Sequence, residues 1–143
     1  MSMPQIPALM PMFSVSDVAA TIAWFERLGF TSEGEMRMPD GSIMHAEVTR
    51  GPLRFMFGPA QGEVGAPGLG LYVTLNESVD EYHTQAVRAG VPIAEPLQDQ
   101  FWGDRTFTVK HPDGYQITFC QHVRDVSMEE MQAALAQMVP AGA

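Results

Sequence analysis

The stretch FWGDRTFTVKHPDGYQITFCQ, residues 101–121, decides how this chain folds. Two runs of β-branched and aromatic residues flank the segment His111-Pro112-Asp113-Gly114. Proline presets φ at the second position of a turn, aspartate can bond its own backbone, and glycine supplies a positive φ. The stretch therefore predicts two antiparallel strands joined by a tight turn.

An earlier stretch, HAEVTRGPLRFMFG from His45 to Gly58, has the same arrangement. Arg50-Gly51-Pro52 separates two short runs of strand-forming residues. This segment predicts a second hairpin, because glycine and proline interrupt a strand and favour a turn. Each half of the chain is therefore expected to end in a hairpin.

A helical pattern precedes each hairpin. The first pattern begins at the candidate N-cap Asp17 and ends at Gly29. The second begins at the capping box of Ser78 and ends at Gly90. Strand candidates precede the helices, at residues 8–15 and 69–75. The order of elements predicts an α+β fold in which a βαβββ module occurs twice.

The chain has 143 residues, which is enough for one compact domain but too few for two independent ones. A capping box at Ser127 and the apolar stripe after it predict a C-terminal helix, ended by Pro140. That stripe could cover the sheet, close a cavity or contact a second subunit. We expect one domain, 1–143, with modules at 8–62 and 68–122 and the helix at 127–139.

Composition excludes several classes of function. The formal net charge of −9 argues against binding to a phosphate backbone, which needs clustered Lys and Arg. The single cysteine, Cys120, argues against a disulfide framework. The N-terminal residues do not resemble a secretory leader, and no apolar segment has membrane-spanning length. We therefore expect a cytoplasmic protein that binds neither nucleic acid nor membrane.

Three segments carry a family resemblance: SVSDVAATIAWFERLGF, DGSIMHAEV and WGDRTFTVKHPDGYQITF. With the paired βαβββ plan, they resemble the vicinal oxygen chelate superfamily, which includes glyoxalase I, bleomycin-resistance proteins and extradiol dioxygenases. The bleomycin-resistance-like or PhnB-like branch is the most similar. The resemblance implies two paired modules that form curved mixed sheets around a cleft.

The resemblance also implies where metal-dependent members hold a divalent ion. Those positions fall here on Met10, on Met56, on or beside Leu71, and on Thr118. Thioether sulfur suits soft metals only, and a single hydroxyl cannot hold a hard or borderline ion. We therefore expect no metal and no cofactor at the usual positions.

Strand parity combined with the resemblance predicts the lining of the cleft. The residues expected to point inward are Met10, Met12, Arg54, Met56, Leu71, Val73, Gln116 and Thr118. Three residues just before a strand, in the segment that the resemblance places at the border of the cleft, are expected to contact a ligand, because indole offers a stacking face and guanidinium a fork of donors. They are Trp102, Asp104 and Arg105.

His45 and Glu47 lie two apart on a strand and therefore point to one face. Such a pair can contact a ligand, bind metal with a third group, or work as a base with its orienting carboxylate. The other histidines are expected to have no site role. We expect His83 to face solvent, His111 to stabilise the turn and His122 to end the last strand.

The leading hypothesis is a homodimer that binds a small apolar or planar molecule without metal. As the resemblance to bleomycin-resistance proteins implies, it would act by sequestration. One alternative is a glyoxalase-like lyase or isomerase, or a dioxygenase, with a non-standard metal site at His45 and Glu47. Another is a metal-free enzyme that moves protons through Glu47, Asp104 or Arg105.

Overall fold

A computed structural model of the protein describes residues 8–138. The chain divides into two compact units, one ending at Ala66 and the other beginning at Pro67. The first unit contains β1 (Met12–Val15), α1 (Val18–Arg27), β2 (Thr31–Arg37), β3 (Ile43–Arg50) and β4 (Leu53–Pro59). The second contains β5 (Gly70–Thr74), α2 (Val79–Arg88), β6 (Ile93–Asp99), β7 (Asp104–Lys110), β8 (Gln116–His122) and α3 (Met128–Met138).

Each unit is built on one four-stranded mixed sheet. The first sheet has the order β1-β4-β3-β2, and the second has the order β5-β8-β7-β6. The parallel pairs are β1 with β4 and β5 with β8. All other neighbouring strands are antiparallel. The α+β fold of two βαβββ modules with a C-terminal helix is therefore confirmed.

The first strand is shorter than the sequence predicted. The segment 8–15 was expected to be extended throughout, but β1 begins only at Met12. Proline has no backbone N–H, so Pro11 cannot donate to a neighbouring strand. Its carbonyl oxygen still accepts a hydrogen bond of 3.0 Å from the backbone N–H of Met56.

The helix ends lie where the capping residues predicted them. A carboxylate oxygen of Asp17 accepts from the N–H of Ala20 at 3.0 Å, and the hydroxyl of Ser78 accepts from the N–H of Glu81 at 3.2 Å. These bonds satisfy amide groups that the first turn of a helix leaves unpaired. Just beyond the helices, Gly29 has φ of 82° and Gly90 has φ of 81°.

The turn at His111 has the role that the sequence assigned to it. The N–H of His111 bonds the carbonyl of Tyr115 at 2.8 Å, and Gly114 has φ of 99°. The side chain is buried, and its Nδ1 accepts from the N–H of Asp113 at 3.0 Å. Burial lowers the pKa of His111, so the neutral imidazole serves as acceptor.

In the first unit, aromatic rings join the helix to one face of the sheet. The ring of Phe25 on α1 stacks on Phe57 at 5.6 Å between centroids and tilts against Phe55 at 5.1 Å. All three side chains are buried, as are Ala46 and Val48 on β3. This packing covers one face of the sheet. We call the opposite face the open face of the first sheet.

The second unit repeats this arrangement with different residues. The ring of Tyr82 on α2 packs edge-on against Phe119, with centroids 5.0 Å apart, and lies 5.9 Å from Phe107. The prediction that His83 faces solvent was wrong, because its ring packs edge-on against Phe107 at 5.1 Å and is half-buried. We call the face away from α2 the open face of the second sheet, although Thr106, Thr108 and Cys120 on that face are buried.

Helix α3 begins at the predicted capping box, where the hydroxyl of Ser127 accepts from the N–H of Glu130 at 3.1 Å. None of the side chains of α3 is buried. The predicted last residue, 139, and the predicted terminator Pro140 lie outside the described residues. Within residues 8–138, no helix is long and apolar enough to cross a membrane.

Replacing Phe57 by Ala should test the aromatic packing of the first unit. We expect a loss of about 3–5 kcal/mol in the free energy of unfolding, because the variant loses the burial of a ring and leaves a cavity that the surrounding residues fill only in part. Urea unfolding followed by tryptophan fluorescence would measure it, because the ring of Trp24 is 5.0 Å from Phe25 and reports on this packing. The matched control is Met36→Ala, at a side chain that is 62% exposed. Equal losses of unfolding free energy in Phe57→Ala and Met36→Ala would contradict the assignment of Phe57 to the buried core.

Candidate functional site

The open face of the first sheet carries a row of side chains set by strand register. Met12 on β1 lies beside Met56 on β4, and Met56 lies beside Glu47 on β3. Two residues before Glu47 on β3, His45 lies beside Met36 on β2. The sequence had placed Met12 and Met56 on the inward side and His45 and Glu47 on one face of their strand; the register joins the two pairs and adds Met36. The result is a surface on which three methionines lie near the Glu47 carboxylate and the His45 imidazole.

Glu47 is the fixed polar group of this face. One carboxylate oxygen accepts from Nη1 of Arg54 at 2.7 Å. The other lies 3.5 Å from Nε2 of His45. The guanidinium therefore orients the carboxylate, while the oxygen on the imidazole side keeps room for a further donor.

The methionines of this face are open to solvent. Met12 is 66% exposed and Met36 is 62% exposed, whereas Met56 is half-buried. Met10 precedes β1 and is exposed as well. A concavity of about 380 Å³ lies on β2 and β3, with Met36 the methionine that it includes; it is lined by Glu33, Gly34, Glu35, Met36, His45 and Glu47. Exposed apolar side chains next to a few polar groups are typical of a surface that binds a ligand or another protein.

On the second sheet, one part of the predicted lining was wrong. Leu71 and Val73 were expected to share a face with Gln116 and Thr118. The parallel register instead places Leu71 beside Ile117 and Val73 beside Phe119, on the face covered by α2. Side chains alternate along a strand, so a shift of one residue exchanges the two faces.

The residue that lies beside Thr118 on the open face is Tyr72. Sequence reasoning missed it, although the metal-ligand position had been placed on or beside Leu71. On the other side of Thr118 lies Thr108, with 2.7 Å between the two hydroxyl oxygens. Gln116 is an exposed residue at the start of β8 and lies on the same face.

Tyr72 belongs to a group of polar side chains that we call the Asp104 cluster: Tyr72, Trp102, Asp104, His122 and Asp125. The Tyr72 hydroxyl donates to Oδ2 of Asp104 at 2.5 Å. The indole Nε1 of Trp102 donates to the Tyr72 hydroxyl at 3.0 Å and to Asp104 at 3.2 Å. Nδ1 of His122 lies 2.9 Å from Oδ1 of Asp104.

These contacts shift the pKa values within the cluster. Burial and the bond to Asp104 raise the pKa of Tyr72, so its phenol stays protonated and acts as a donor. For Asp104, burial would raise the pKa, but hydrogen bonds from Tyr72, His122 and Trp102 outweigh burial and lower it. Asp104 is therefore an ionised acceptor. Both of its oxygens are occupied by neighbouring side chains.

Arg105 does not lie with Asp104. Its guanidinium binds Asp80 on α2 at 3.0 Å and Asp99 at the end of β6 at 3.1 Å. Arg105, which was expected to contact a ligand as Trp102 and Asp104 were, instead lies on the face opposite Asp104, since consecutive strand residues point to opposite faces. The hydrogen bonds from Arg105 to Asp80 and then Asp99 raise its pKa.

The side chains at the family's metal positions do not fit a divalent ion of the usual kind. Met10 and Met56 offer thioethers, Thr118 is hydrogen-bonded to Thr108, and Leu71 lies on the covered face. Among residues 8–138, no group of three or more His, Cys, Asp or Glu side chains is placed to hold a metal ion.

Comparison with known proteins agrees with this fold. The chain is 30% identical over 142 residues to an uncharacterised protein of Mycobacterium bovis, covering 91% of this chain and 93% of that protein. TioX from Micromonospora sp. ML1 superposes with a TM-score of 0.68 at 25% identity, covering 82% of this chain and 99% of that one.

Two further solved structures share the fold. A glyoxalase-related enzyme from Clostridium phytofermentans has a TM-score of 0.68 at 20% identity, covering 84% of this chain and 98% of that one. A bleomycin-binding protein in complex with bleomycin has a TM-score of 0.66 at 22% identity, covering 81% and 98%.

A family model covers most of the chain. Residues 8–119 match the model of the Glyoxalase/Bleomycin resistance protein/Dioxygenase superfamily. The match confirms the resemblance seen in the sequence. This protein therefore belongs to the Glyoxalase/Bleomycin resistance protein/Dioxygenase superfamily.

Proposed function

We propose that the protein binds a small apolar or planar molecule on the open face of its first sheet, without a metal ion, and acts by sequestering it. The observation that carries the proposal is the row formed by Met12, Met56 and Glu47 on the first sheet. This row combines flexible apolar side chains with a single oriented carboxylate. It lacks the donor set that metal-dependent chemistry requires.

Methionine suits such a role because its side chain is unbranched, polarisable and able to adapt to varied ligand shapes. Removing one methionine from water contributes about 1.5–3 kcal/mol when its burial is complete. A ligand that covers Met12 and Met56 would gain from both, since they are neighbours in register and Met12 is largely exposed. Glu47 would then orient a ligand donor through the oxygen that Arg54 leaves accessible.

The second sheet offers a different kind of contact. The N–H of Trp102 is already bonded to Tyr72 and Asp104, so the indole offers its ring face rather than its donor. An aromatic face held at a fixed angle favours stacking with a planar ligand. A bleomycin-binding protein in complex with bleomycin has the same fold. Because that architecture can accommodate an organic ligand, the shared fold supports the proposal.

The alternative of a metal-dependent lyase, isomerase or dioxygenase at His45 and Glu47 gains little support from the geometry. Arg54 occupies one oxygen of Glu47, and a guanidinium competes with a metal ion for that carboxylate. The glyoxalase-related neighbour leaves the fold compatible with such enzymes. We therefore keep sequestration as the proposed function.

Ligand binding can be tested on the methionine row. Nile red, a neutral planar dye, and metal-free bleomycin would be titrated by fluorescence and calorimetry in excess EDTA. We expect binding of at least one of the two, with the Kd raised about threefold to tenfold in Met12→Ala and Met56→Ala because apolar contact is lost. The matched control is Met44→Ala, since Met44 alternates with His45 on β3 and lies on the other face.

Two outcomes would contradict the proposed function. One is that binding requires a divalent ion and is lost in EDTA. The other is that Met44→Ala weakens binding as much as Met12→Ala does. Under the enzyme alternative, His45→Ala or Glu47→Ala would abolish metal-dependent turnover while leaving the thermal unfolding temperature unchanged.

We also propose that the protein is a cytoplasmic homodimer. Its single cysteine is free and buried, which is compatible with a reducing compartment. Several large apolar side chains are exposed, including Leu9, Leu69, Leu135 and Met138, and subunit contact would cover such groups. Many small sheet proteins cover exposed edges and apolar faces through a two-fold interface.

Multi-angle light scattering would measure the oligomeric state. We expect a mass twice the chain mass of 15.7 kDa, maintained on dilution to about 1 μM because a stable interface buries enough apolar surface. Leu135→Glu should shift the mass towards the monomer if α3 takes part in the interface. The control is Glu130→Gln on the same helix. A wild-type mass of one chain over this range would contradict the homodimer.

A further inference from the structure

The segment after β8 is held against the turn before β7. The backbone N–H groups of Val123 and Arg124 both donate to the carbonyl oxygen of Gly103, at 2.9 and 3.1 Å. Gly103 has φ of 102°, and a Cβ at this position would lie 2.1 Å from the carbonyl oxygen of Arg124. Glycine is therefore required where the two segments meet, because any side chain would separate them.

One imidazole bridges the same two segments through side chains. His122, at the end of β8, has Nδ1 2.9 Å from Oδ1 of Asp104 and Nε2 2.7 Å from Oδ1 of Asp125. Asp104 belongs to β7, whereas Asp125 lies in the segment that leads to α3. Only a protonated ring can donate from both nitrogens at once.

We infer that His122 is a protonation-controlled clamp, which fixes the segment 123–126 against β7 in its imidazolium form and releases it when the ring loses its proton. The geometry requires two donors, and neutral imidazole has one. Opening the clamp would change how α3 is held. None of its side chains is buried, so the direction of the helix depends on how the preceding segment is held.

The groups around His122 favour the charged ring. Asp104 faces it from β7 and Asp125 from the following segment, while Tyr72 on β5 reaches it only through Asp104. The cation of this segment is Arg124, whose backbone binds Gly103. In agreement with the geometry, hydrogen bonds to Asp125 and then to Asp104 raise the pKa of His122 above its ordinary value of 6.5.

The sign of the pH effect follows from this shift. A group whose pKa is raised by folding stabilises the folded state fully at pH values below its pKa in the unfolded chain. This stabilisation is lost as the pH rises through the pKa of the group in the folded state. The clamp is therefore closed at pH values below 6.5 and opens as the pH rises through the raised pKa of His122. Because the ring is 53% exposed, salt should weaken the clamp as well.

Hydrogen exchange at the amides of Val123 and Arg124 would test the clamp on the full chain without ligand. After correction for the intrinsic rate, we expect exchange about threefold faster at about pH 9 than at about pH 6, as for the loss of exposed ion pairs. His122→Gln should remove this pH dependence, and Asp125→Asn should reduce it. The control is His83→Gln, which alters a histidine that packs on Phe107.

The titration of His122 itself, followed by the NMR shifts of its ring, gives a second readout. We expect a midpoint above 6.5 in the wild type and a lower midpoint in Asp125→Asn. A midpoint at or below 6.5, or unchanged protection of Val123 and Arg124 in His122→Gln, would overturn the inference. Neither measurement involves a ligand, so failure of the proposed function would leave this result intact.

Asp104 connects the clamp to Trp102, which is expected to contact the ligand. Only this connection rests on the proposed function. Asp104 joins His122 to Tyr72 and Trp102, so opening the clamp should alter the surroundings of the Trp102 ring. In a Trp24→Phe background, the fluorescence of Trp102 should change with the same midpoint as the ring of His122. Two different midpoints would show that the clamp does not reach the indole.

Discussion

The structure depends on the packing of a single helix against one face of each four-stranded sheet. In the first unit this packing joins Phe25 to Phe57, and in the second it joins Tyr82 to Phe119. One helix covers one face only, so the opposite face of each sheet must be left to other contacts. Strand alternation then determines which side chains become available there. The candidate site is a direct result of this constraint.

The fold could be predicted from the sequence because its determinants are local. The caps at Asp17 and Ser78 and the turn at Gly114 act over three or four residues, and each lies where the pattern placed it. The site was harder to predict because its geometry depends on register between distant strands. An error of one residue in β5 exchanged Leu71 for Tyr72, and no short-range pattern could have corrected it.

Other errors have the same physical origin. Arg105 is recruited by Asp80, a residue 25 positions earlier on α2, and His83 packs on a ring of β7. Such pairs become neighbours only after the helix has docked on the sheet. The sequence paired His45 with Glu47 on one face, but it did not predict the bond from Arg54 to Glu47, which forms across the β3–β4 hairpin.

The two open faces differ in chemistry although the modules share one plan. Thioethers dominate the first, whereas hydroxyls, an indole and an ionised carboxylate dominate the second. A thioether can be oxidised reversibly to a sulfoxide, which is polar. Because Met12 and Met36 are largely exposed, an oxidant would reach them before the buried core. The apolar character of the first sheet's open face therefore depends on the redox state of its surroundings.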